Sequence, residues 1–144
     1  MRDHTDILLV EDEPIVSVVL ARYLEESGYR VHRAGSGEEA LQAMTDGAEG
    51  VRMVVTDLRM AGMNGVQLAR ELGQRYPETR VLFIAGHPWD GPEMLPGPVL
   101  LKPFTAEQLV GSVARLLTEP PPGAIPHCGN PKSAVSFFYL PFGG

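Results

Sequence analysis

Asp57 ends the apolar run Met53-Val54-Val55-Thr56, while Glu11 and Asp12 follow a second such run, Ile7-Leu8-Leu9-Val10. Runs of this length read as buried strands of an α/β protein, and reactive groups gather where such strands stop. A further run, Val99-Leu100-Leu101, ends at Lys102-Pro103. If these strands are parallel neighbours, their ends bring Glu11, Asp12, Asp57 and Lys102 to a single edge of a sheet. Carboxylates crowded there repel one another, and a hard divalent cation relieves the conflict. Mg²⁺ takes oxygen ligands, keeps several waters and commonly joins a few carboxylates to a phosphate, whereas zinc would call for His or Cys. Lys102 supplies a point charge suited to a phosphate oxygen. The combination reads as a phosphoryl-transfer site in which a carboxylate acts as nucleophile and an aspartyl phosphate forms.

Short apolar runs alternate with segments of helical period, the pattern of βα units around a parallel sheet. Strands are expected at Ile7 to Val10, Arg30 to Ala34, Met53 to Thr56, Val81 to Ile84 and Val99 to Leu101. Pro14 opens the first helix, with Val18, Val19 and Leu24 as its apolar stripe and Gly28 closing it. Ser36 with Glu39 reads as a capping box for the second helix, which turns Ala40, Leu41 and Met44 inward. A third helix is expected over Val66 to Tyr76 and stops before Pro77. Thr105 with Gln108 opens the last, which carries Leu109, Val113, Leu116 and Leu117. Between the fourth and fifth strands, Gly86 to Pro98 holds four prolines and three glycines. That leaves room for a loop with at most one helical turn.

The 144 residues, 44% of them hydrophobic, suffice for one core of ordinary size. A net charge of −6 without a basic cluster disfavours nucleic acid as a partner. No stretch reads as a signal peptide or membrane span. With a lone Cys128 ruling out an internal disulfide, a cytoplasmic protein is expected. From Thr118 to Gly144 the chain has six prolines, four glycines and two charged residues. It reads as a flexible tail (118–144) after one domain (5–117), with an apolar cluster from Phe137 to Phe142 read as docking loosely on the body, the alternative being a partner-binding peptide.

The motifs together resemble the receiver domain of two-component response regulators. They are Val10-Glu11-Asp12-Glu13-Pro14, Val55-Thr56-Asp57-Leu58-Arg59-Met60 with Gly62-Met63-Asn64-Gly65, and Leu101-Lys102-Pro103-Phe104. The resemblance implies a flavodoxin-like, doubly wound sheet of order 2-1-3-4-5. It implies that Asp57 accepts a phosphoryl group from a phosphohistidine on a histidine kinase or histidine phosphotransferase. Glu11, Asp12, Asp57 and the backbone carbonyl of Arg59 would hold Mg²⁺, and Lys102 would contact the phosphate. Beyond its own phosphorylation and dephosphorylation such a protein is a signalling phosphoacceptor, not an enzyme, and its output is a change in protein contacts without an attached output domain.

The chain departs from the pattern at the switch. Ala85 stands where the family has a Thr or Ser that bonds the phosphoryl group, and Val99 where it commonly has an aromatic residue that swings inward. Ala61 replaces the usual Pro of the loop after the acceptor, and the fourth helix is shortened or missing. A group of single-domain receivers is similar in that short region and in a Phe-containing fourth strand ending at Gly. Rearrangement of the loop from Gly86 to Pro98 is the expected substitute for the switch. An alternative is a pseudo-receiver that binds partners independently of phosphorylation. A phosphatase of the haloacid dehalogenase type would need a second Asp where Arg59 stands. His87 reads as solvated, Trp89 as a cap over apolar surface left by the shortened helix, and Arg59 either as a solvated charge or as a group tuning access to the metal site.

Overall fold

The runs of Ile, Leu and Val become five strands: β1 (Asp6–Val10), β2 (Arg30–Ala34), β3 (Val51–Asp57), β4 (Arg80–Ala85) and β5 (Val99–Leu101). In the computed structural model, which describes residues 5–47, 50–92 and 94–119, they form one parallel sheet in the order β2-β1-β3-β4-β5. β1, β3 and β4 are buried almost throughout, as strands covered on both faces must be. The register pairs Val10 with Thr56 and Asp57 with Ile84, so the ends of β1, β3 and β4 lie side by side.

Four helices cover the sheet: α1 (Pro14–Glu26), α2 (Gly37–Thr45), α3 (Gly65–Arg75) and α4 (Ala106–Thr118). α1 and α4 pack on one face over Ile7, Leu9, Met53, Val55, Leu82, Ile84 and Leu100. α2 and α3 pack on the other over Leu8, Val10, Val54, Val81 and Phe83. Alternate residues of each strand serve opposite faces. This is the doubly wound architecture that the resemblance implies, built from the βα units that the alternation of runs predicts. Among the described residues no helix is long and apolar enough to cross a membrane.

Local chemistry sets the helix ends. Pro14 occupies the first turn of α1, where its missing N–H costs nothing. Gly28, at φ 99°, closes the helix with its N–H on the Glu25 carbonyl, and Tyr29 N–H reaches back to Leu24. These are the paired bonds of a Schellman turn. α3 and α4 each open on a complete capping box, Asn64 with Gln67 and Thr105 with Gln108. At α2 only half of the expected box forms: Ser36 Oγ accepts from Glu39 N–H, while the Glu39 carboxylate turns to Gly35 N–H at 2.8 Å.

One face was misassigned by polarity. α1 buries Ser17, Leu20, Ala21 and Leu24, while Val18 and Val19 are 51% and 40% exposed. Ser17 is small enough to sit against the sheet, and the resulting 17-20-21-24 stripe turns both valines outward with Ile15, itself 79% exposed. The segment joining β4 to β5 has no helix among its described residues. Trp89 and Leu95 pack instead against the core on the α2/α3 side, as the cap reading of Trp89 anticipates. The tail with Cys128 and the cluster from Phe137 to Phe142 lies outside the described residues.

Candidate functional site

The strand ends deliver their side chains to one pocket. Glu11 continues the line of β1, its N–H bonded to the Ala34 carbonyl at 3.0 Å, and its carboxylate is buried and accepts the Glu13 N–H. Asp12, one residue on, is exposed. Asp57 is the last residue of β3 and is 7% exposed. Carboxylate oxygens of Glu11, Asp12 and Asp57 all lie within 4.8 Å of one another. Lys102 N–H is anchored on the Ala85 carbonyl, which sends its side chain across β4 to place Nζ 3.7 Å from Asp57 Oδ1. The expected carboxylates and ammonium therefore meet.

Position fixes the electrostatics. Burial pushes the Asp57 carboxyl up to about 8, aided by a hydrogen bond with the Glu11 carboxyl and by the negative charges of Glu11 and Asp12. Lys102 pulls the other way, but its ammonium is 40% exposed and screened by water. One solvated cation does not offset desolvation plus two carboxylates. The pocket thus has all-oxygen donors, one solvent-facing edge and an excess of negative charge, which fits Mg²⁺ and not zinc.

Gly65 supports this geometry through its missing side chain. A Cβ there would lie 2.2 Å from the Asp57 carbonyl oxygen, and the Gly65 N–H bonds the Leu58 carbonyl at 2.9 Å. Only glycine lets the start of α3 close against the end of β3.

The two departures from the switch pattern are apolar in place as well as in type. Ala85 ends β4 one residue beyond Ile84, the register partner of Asp57, and is buried in the α2/α3-side core. Val99 opens β5 and packs against the same cluster. His87 is exposed on the following loop and belongs to no acidic cluster among the described residues.

Sequence reasoning left the side chain of Arg59 undecided. Its guanidinium lies 3.3 Å from Asp90 Oδ1 and 5.6 Å from the centre of the Trp89 ring. The partners are about thirty residues away in the chain, so no local spacing reveals them.

The family model of the response regulator receiver domain matches residues 7–114. The chain is 39% identical over 116 residues to the sensor kinase CckA of Brucella abortus (strain 2308), a match covering 77% of this chain and 12% of that one. It is 31% identical over 117 residues to the response regulator receiver protein CpdR of the same organism, covering 77% and 95%. The crystal structure of response regulator TrrA from Thermotoga maritima in complex with Mg(2+)-BeF superposes with a TM-score of 0.66 at 27% identity, covering 78% of this chain and 98% of that one. Sheet order, pocket and family match agree: the chain belongs to the response regulator receiver domain family of two-component systems.

Proposed function

We propose that this receiver takes a phosphoryl group from a phosphohistidine onto Asp57 and signals through altered protein contacts. The meeting of Glu11, Asp12 and Asp57 within 4.8 Å, with Lys102 Nζ 3.7 Å from the acceptor, carries the reading. Glu11, Asp12, Asp57 and the Arg59 carbonyl would hold Mg²⁺, which when bound would supply positive charge against the developing phosphoryl oxygens. TrrA, a relative whose structure includes Mg(2+)-BeF, supports that assignment.

The acceptor must be ionised to react. Loss of the Asp57 proton frees a carboxylate oxygen to attack phosphorus. The new P–O bond forms as the P–N bond breaks, and the electron pair stays on the departing imidazole nitrogen. Lys102 donates to a phosphoryl oxygen as charge builds there.

The donor is a histidine kinase or histidine phosphotransferase, consistent with the match inside a sensor kinase, and the setting is the cytoplasm. Ile15, Val18 and Val19 form an exposed apolar stripe on α1, which begins three residues after Glu11. That stripe is suited to a partner helix. Residues 5–117 are assigned to the receiver unit, with α4 running one residue further to Thr118.

Incubation with Mg²⁺ and a small-molecule phosphodonor, read by intact mass, tests the reading. One added phosphoryl group is expected, lost with a chelator and in Asp57→Asn. No gain in mass refutes it. Ala85 and Val99 favour a second reading, a pseudo-receiver that binds its partner unmodified. Full function of Asp57→Ala in a deletion background supports that alternative, and loss of function rejects it.

A further inference from the structure

Phosphorylation needs a reader, and the two positions that usually read it hold apolar residues buried in, or packed on, the core. Another contact links the acceptor's surroundings to the loop between β4 and β5. Arg59 follows Asp57 by two residues, and its guanidinium reaches the loop between β4 and β5, where it meets both the Asp90 carboxylate at 3.3 Å and the Trp89 ring at 5.6 Å. That loop is built to carry the contact. Trp89 is partly buried on the α2/α3-side core, and a Cβ on Gly91 would lie 2.2 Å from the indole, so glycine makes room for the ring. The hold is weak by design of its surroundings: the side chains of Arg59 and Asp90 are 59% and 86% exposed, and exposed pairs contribute little.

We propose that Arg59 is the positioning residue that couples occupancy of the Asp57 pocket to the β4–β5 loop, its guanidinium exchanging the Asp90 carboxylate for the phosphoryl oxygens and thereby releasing Trp89 and Asp90. The proposal rests on the phosphoacceptor reading of Asp57. A phosphoryl dianion is a stronger partner for a guanidinium than a solvated carboxylate, because its charge is higher and its oxygens match the planar fork. The differential attraction is what a switch requires: the mark interacts with one state of the loop and not the other.

The chain has one tryptophan, so its emission reports the loop directly. The test records Trp89 fluorescence of the full chain with Mg²⁺ and with Mg²⁺ plus beryllofluoride, alongside intact mass after a small phosphodonor. Wild type is expected to change emission only when the phosphoryl mimic is added. Arg59→Gln is expected to show no emission change when compared with wild type at matched phosphoryl occupancy, read by intact mass. Asp90→Asn is expected to start displaced toward the occupied-state emission, since losing an exposed pair shifts the released population by roughly twofold to fivefold. A wild-type mass gain with flat emission, or Arg59→Gln responding as wild type does, overturns the coupling and leaves the phosphoacceptor reading standing. No wild-type mass gain overturns both.

Discussion

The proton on Asp57 makes one part of the protein's stability depend on pH. Its carboxyl ordinarily titrates near 3.8 and is raised to about 8 in the fold, chiefly by burial and then by Glu11. The folded state therefore keeps this proton after the unfolded chain has lost it. The group's contribution to stability is complete below about 3.8 and is lost as pH rises through about 8. Thermal melts in chelator should show stability falling across that window, and Asp57→Asn should flatten the profile and raise the melting temperature at neutral pH. A variant that melts with the wild-type slope contradicts this. Mg²⁺ should stabilise more at the alkaline end of the window, because a metal ligand must be deprotonated. Equal stabilisation at both ends argues against these carboxylates as ligands. Glu11, Asp12, Asp57 and Lys102 were legible because each follows an apolar run and parallel pairing aligns the run ends. The raised pKa was not, since it depends first on how deeply the fold buries Asp57 and then on its contact with Glu11. The Arg59 contacts were hidden for a different reason, namely that they join segments distant in sequence.

Helix ends were easier to read than helix faces. Ser36, Thr105 and Pro14 mark starts through a hydroxyl or a fixed φ, which act locally. The cap at Asn64 uses the same chemistry with an amide in place of a hydroxyl. Which side of α1 faces the sheet is a tertiary matter, and there a buried Ser17 overrides the polar-outward rule. Its outward stripe gives a prediction. Ile15→Asp should slow phosphotransfer from a phosphohistidine protein by roughly tenfold, as for loss of a contact hot spot. Its labelling by a small phosphodonor should be unchanged. An equal loss with both donors would place the effect in the pocket and not in docking. The junction of β3 with α3 gives another. Gly65→Ala drives a methyl into the Asp57 carbonyl and should cost about 1–3 kcal/mol, measured by chemical denaturation. A neutral effect would mean that α3 shifts without strain.

Over the whole molecule, the sheet separates packing from chemistry. Both faces are sealed by apolar layers, and the ends of β1, β3 and β5 are left to hold charge. The alternation of runs and helical segments pointed to βα units around a parallel sheet, while the order of the strands was expected only through the resemblance to receiver domains. The prolines and glycines from Gly86 to Pro98 foretold a missing helix, but not that Trp89 and Leu95 would take over its cover of the sheet. With Ala85 and Val99 at the expected switch positions, the acidic pocket lies beside a loop that packs Trp89 and Leu95 on the core and meets Arg59 through an exposed ion pair. Everything proposed for that loop depends on where the phosphoryl group goes. The decisive measurement is tandem mass spectrometry of the protein labelled with a small phosphodonor and Mg²⁺, then reduced with borohydride to trap an acyl phosphate. A single reduced site at Asp57 is the predicted result. Labelling confined to His87 or another side chain, or no trapped site at all, would contradict the account.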